Sequence, residues 1–230
     1  MMKTLQDAFW NPKSKTYLPV NNFLAAVTLI SILAIILQSM ERFNPYEIYF
    51  TYLEYAVVAI FSFEYIGRII SKKKPLTYIF SFLGVVDLIS ILPTFFAFGN
   101  FTYLKSARSI RILQFLRSLR LLKLRRRNER EDAALLTVEI YFFALFFTIL
   151  TFGILLYIGE PSQVTNIPEG MIWATKFVLG GVAQPLPVTL FGDLITIFGR
   201  FTGLVLFGFL IAVIGKFTQR ILFGREIDER

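Results

Sequence analysis

The stretch KSARSIRILQFLRSLRLLKLRRR, residues 105–127, sets a cation at nearly every third position. Lys105, Arg108, Arg111, Arg117, Arg120, Lys123 and Arg126 keep that interval, Gln114 fills the one gap, and the residues between are almost all apolar. The chemistry open to such a row is the movement of fixed charge through an electric field. In an α-helix the row winds as a slow spiral, and in a 3₁₀-helix it lines one face. Each charge carried across a full membrane field couples about 2.3 kcal/mol per 100 mV, so a few of them make a voltage sensor. The alternative is a basic amphipathic helix lying on anionic lipid. That helix would segregate its charges at a period near 3.6, which an interval of three does not do.

A buried row of cations needs countercharges. Glu54 and Glu64 lie in one apolar run and Asp87 in another, each too costly at membrane depth without a cationic partner. Phe61 precedes Glu64 by one helical turn and shares its face, where a ring can keep water out of the field. Plain packing also explains Phe61, since the chain holds 26 phenylalanines.

A second candidate site is TKFVLGGVAQPLPVT, residues 175–189, a short passage rich in Gly and Pro between long apolar segments. Its central run is Leu179, Gly180, Gly181, Val182, Ala183 and Gln184, with Lys176 shortly before it. No acidic residue occurs between Glu169 and Asp193, while Arg200 and Lys216 follow in the last apolar segment. Repeated around an axis, such cations are the expected lining of an anion pore. Each has a simpler reading. Lys176 can snorkel or cap helix carbonyls, Arg200 can pair with Asp193 or bind a lipid headgroup, and Lys216 can anchor the interface.

Composition says what must hold these residues. The chain of 230 residues is 55% hydrophobic and 17% aromatic, with mean hydropathy +0.61, which points to an all-α integral membrane protein. It has no cysteine and no histidine, so thiol chemistry, the usual general base and the commonest metal ligands are missing. Paired catalytic acids and a phosphate loop are missing too, so an enzyme is not expected, nor is a cofactor. The net charge of +8 lies beside apolar segments and does not call for nucleic acid.

Six segments are long enough to span, at about 20 residues each: 20–40, 51–71, 77–97, 101–125, 133–158 and 190–222. The piece at 168–180 is too short and is expected to be re-entrant. SKKKP (71–75), RRRNER (125–130) and the C-terminal cations share one side, which places both termini in the cytoplasm. The N-terminus shows no signal-peptide pattern and reads as an interfacial segment. The expected organisation is an interfacial segment over 1–19, a four-helix sensor over 20–125, a linker over 126–132, a pore unit over 133–222 and a tail over 223–230.

Glu54, FSFEYIGR (61–68), VVDLISILPTF (85–95) and the arginine row together resemble the voltage-sensor domain of the voltage-gated ion channel superfamily. The resemblance implies that Phe61, Glu64 and Asp87 form the charge-transfer site and Glu54 the outer countercharge, with Arg108, Arg111, Arg117 and Arg120 the main gating charges. IPEGMIWA (167–174) and PVTLFGDL (187–194) are similar to the pore module of voltage-gated potassium channels. That likeness implies a homotetramer around one pore, with Gly203 at the hinge position. Two features depart from the pattern. Leu210, Ile211 and Ala212 stand where the family has its Pro-Val-Pro bend, and LGGVAQ replaces the TVGYG filter. The expectation is a voltage-gated channel of a prokaryotic plasma membrane that is not potassium-selective. Anion conduction leads, weakly selective cation conduction is the alternative, and a non-conducting voltage-sensing subunit is a further reading.

Overall fold

The structure, a computed structural model, describes residues 7–11, 14–72, 75–81, 84–88, 91, 133–182 and 185–223. The chain divides into two compact units, Met1–Arg127 and Asn128–Arg230.

In the first unit, helix α1 (Tyr17–Gln38) packs against α2 (Glu47–Ile70), and a 3₁₀ turn (Glu41–Tyr46) joins them. α1 is apolar on nearly every face, so its hydroxyls must be satisfied locally. Thr28 Oγ1 donates to the Leu24 carbonyl at 2.8 Å, and Ser31 Oγ to that of Thr28 at 2.8 Å. α2 carries Glu47 in its first turn and Arg68 in its last, the arrangement that the helix dipole favours. Val27 of α1 meets Val57, Val58 and Phe61 of α2, together with Ile91.

The third span was expected to run unbroken from 77. Instead α3 (Pro75–Ile79) is a single short helix, the chain turns at Phe80, and helix resumes at 84–88. Ser81 makes that turn. Its hydroxyl donates to the Tyr78 carbonyl at 2.6 Å and accepts from Gly84 N–H at 3.1 Å. The turn matters because it folds Tyr78 back onto Asp87.

In the second unit, α4 (Ala133–Gly159) and α6 (Leu190–Phe223) pack together, and α5 (Ile167–Val178) packs against both. α5 has 12 residues, roughly 18 Å of helix, too little to cross a hydrocarbon core. Its start is set by a capping box. Asn166 accepts from Glu169 N–H at 3.0 Å, and the Glu169 carboxylate accepts from Thr165 N–H at 2.9 Å and from its hydroxyl at 2.7 Å. Those Thr165 bonds hold Glu169 below its usual carboxylate pKa. Trp173, Ala174, Phe177 and Val178 are the buried face of its second half, and the Phe177 ring meets Phe152 of α4 edge-on.

Among the described residues, three helical stretches are long and apolar enough to cross a membrane: Tyr17–Gln38, Thr137–Gly159 and Leu190–Gln219. α2 has the length, at 24 residues, while Glu54, Glu64 and Arg68 lower its hydropathy. The described fold is that of a helical membrane protein, and no strand occurs in it.

Candidate functional sites: a buried charge cluster and a glycine loop after a short helix

The first unit buries ionisable groups together. Phe61 is fully buried, and one turn on, Glu64 and Arg68 are 5% and 6% exposed. Arg68 Nε donates to Glu64 Oε1 at 2.7 Å, an i,i+4 ion pair along α2. Asp87 is also fully buried and accepts a hydrogen bond from the Tyr78 hydroxyl. Arg68 lies within Coulombic range of Glu64, Tyr78 and Asp87, so these groups form one cluster. Glu54, half-buried, stands ten residues before Glu64 on the same helix, about 15 Å along its axis, and is separate from it. The expected gating charges Lys105, Arg108, Arg111, Arg117, Arg120 and Lys123 lie outside the described residues.

Arg68 and Tyr78 are the members of the cluster that the sequence did not single out. Arg68 enters the sequence reading only as the last residue of FSFEYIGR (61–68), and Tyr78 reaches Asp87 through the turn at Phe80–Ser81.

The second unit builds the loop. α5 ends at Leu179, and the next two residues close it: Gly180 N–H donates to the Phe177 carbonyl at 3.3 Å and Gly181 N–H to the Lys176 carbonyl at 2.6 Å. This pair of bonds, with Gly180 at φ +83°, is a Schellman helix end. The paired glycines therefore terminate the helix, and the Lys176 carbonyl is engaged in doing so. Lys176 itself is exposed in the last helical turn.

Beyond the glycines the chain is tied back to α4. Gln163 Nε2 donates to the Leu186 carbonyl at 2.8 Å. Glu160, fully buried, accepts through Oε1 from Val188 N–H at 3.2 Å, Thr189 N–H at 2.9 Å and the Thr189 hydroxyl at 2.7 Å. Glu160 is not among the residues that the sequence singles out. No local pattern reveals its role, because its partners lie 28 and 29 residues away.

Leu179, Gly180, Gly181 and Val182 form one side of a cavity of about 760 Å³, with Arg200, Gly203, Leu204 and Phe207 of α6 on another. The structure thus brings four of the expected filter positions to Arg200 and Gly203, whereas Lys176 is not part of that wall. Ala183 and Gln184 lie outside the described residues, as does the side chain of Lys216. α6 is continuous through Gly203. A Cβ at Gly203 would stand 2.1 Å from the Val178 carbonyl oxygen, so this glycine is needed for the close approach of α5 to α6.

The family described as ion transport protein matches residues 17–221, which takes in both the cluster and the loop. The chain belongs to that family. It is the family of the voltage-gated ion channels, so this ion transport protein is a membrane channel protein of that general type, and the family is not one of enzymes. No curated protein matches the chain.

Proposed function

We propose that this protein is a voltage-gated channel of six spans, assembled as a homotetramer in a plasma membrane with both termini cytoplasmic. The arginine row of residues 105–126 is its sensor, moving past Glu64 and Asp87 behind the Phe61 ring, with Glu54 as the outer countercharge. Inward motion of that row closes the pore through the linker at 126–132. Membership of the ion transport family supports the channel reading, and two carboxylates buried among the helices of the first unit support the sensor reading.

For the pore we propose conduction that is not potassium-selective, with anions favoured. The observation that carries this is the Schellman end of α5. A potassium filter needs successive backbone carbonyls aimed at the ion, and Gly180 and Gly181 instead close a helix whose last turn carries an exposed lysine. That lysine opposes the attraction of the helix C-terminus for a cation. Arg200 adds a second positive charge beside the same loop.

Recording from purified protein in planar bilayers tests both halves. Neutralising Arg117 and Arg120 should flatten the conductance–voltage relation, and an unchanged slope would sink the sensor assignment. Lys176→Glu should turn an anion preference toward cations. Silence at every voltage would favour the non-conducting subunit.

A further inference from the structure

The charge cluster has a lid that its own helices do not supply. Residues 7–10 form a short helical turn that lies on the end of α2. The Arg68 guanidinium sits 5.3 Å from the centroid of the Phe9 ring and 5.8 Å from that of Trp10. Trp10 Nε1 donates to Ser71 Oγ at 3.0 Å, and its ring meets Tyr78, the partner of Asp87, edge-on at 5.3 Å. Lys72 Nζ lies 4.5 Å from the same Trp10 ring. Phe9 packs so closely on Gly67 that a Cβ there would come within 2.9 Å of the ring. Five residues of the α2 end and of α3 are therefore engaged by two consecutive aromatic side chains.

From this geometry we infer that Phe9 and Trp10 act as an aromatic clamp on Arg68, holding its charge against Glu64 and so setting how tightly the cluster grips passing cations. The inference rests on the sensor reading given above. Glu64, Asp87 and Arg68 sum formally to one negative charge. With the rings in place, the guanidinium is shielded from water and held at the Glu64 carboxylate, where a cation–π contact is strongest when desolvated. Without them, water reaches Arg68 and screens the ion pair, and the cluster becomes more negative toward any other cation. A deeper well must be left in both directions, so sensor movement slows both ways. Phe9 and Trp10 are positioning residues that act through Arg68.

The test uses the full-length protein. Phe9→Leu/Trp10→Leu keeps apolar side chains but removes both π faces and the Trp10–Ser71 hydrogen bond. Both opening and closing time constants should lengthen by about threefold to tenfold, the weight of a cation–π contact, and Trp10→Phe with Phe9 intact should restore most of the wild-type rate. In an Arg68→Gln background the same double change should add nothing. The clamp is overturned if the rates are unchanged while voltage dependence persists, or if the slowing is undiminished without Arg68. A readout independent of gating comes from the two tryptophans of the chain. With Trp173→Phe, Trp10 alone emits, and Arg68→Gln should red-shift its emission and open it to aqueous quencher. If the wild-type protein carries no voltage-dependent current, the channel reading fails and this emission decides the clamp; an unaltered spectrum then overturns it.

Discussion

The backbone N–H of Gly181 donates to the carbonyl of Lys176 at 2.6 Å, and this bond fixes the end of the short helix α5. It turns the chain away from the helix axis one residue after Gly180, the described glycine with positive φ. The N–H groups of both glycines are thereby committed to finishing the helix.

Gly180 has open space where a Cβ would stand, so Gly180→Ala tests backbone conformation alone. It should destabilise the protein by about 1–2 kcal/mol, the cost of a left-handed non-glycine residue. Gly203→Ala meets the Val178 carbonyl instead and should cost more. Thermal unfolding in detergent, compared for the two variants, gives the order.

Glu160 holds the far side of the loop through three hydrogen bonds to one oxygen. Glu160→Gln keeps an acceptor but loses the charge and should cost about 1–2 kcal/mol; Glu160→Ala should cost more. Amide exchange at Val188 and Thr189 should quicken in the same order, and exchange rates equal to wild type would remove Glu160 from this role.

The Glu64–Arg68 pair is buried in a charge cluster that also holds Asp87, so removing either partner changes the balance of the whole cluster. Arg68→Gln, which takes the cation from two buried carboxylates, should destabilise by about 3–5 kcal/mol, and by more than Glu64→Gln, which leaves Asp87 within range of the guanidinium. Denaturation of the two variants measures the difference directly.

Glu169 supplies a pH test at the start of α5. Its folded pKa lies below the ordinary value, so the capping box contributes stability above the unfolded pKa and loses it as pH falls through the lowered folded one. Acidification should therefore release the Thr165 amide only below the usual carboxylate range, and Glu169→Gln should abolish the transition.

Much of this was legible in the sequence because of cost. A carboxylate in an apolar run must have a cation, which marked Glu64 and Asp87 before any fold was known. The partners were harder to read. Arg68 sits at a helix end where a positive flank needs no special reason, and the Tyr78–Asp87 bond depends on the turn that Ser81 makes between them. Glu160 shows the limit most clearly, since its burial is created by a loop returning almost thirty residues later. The paired glycines stand out in the sequence only as part of a passage rich in Gly and Pro. The signal that would have assigned them was their place just after an amphipathic helix with a lysine in its last turn, the pattern of a helix end.

The reversal potential of the wild-type protein in a potassium chloride gradient tests the central claim most directly. With the higher concentration on one side, an anion-favouring pore reverses on the chloride side of zero, and that is the predicted result. Reversal at the potassium equilibrium potential would contradict it.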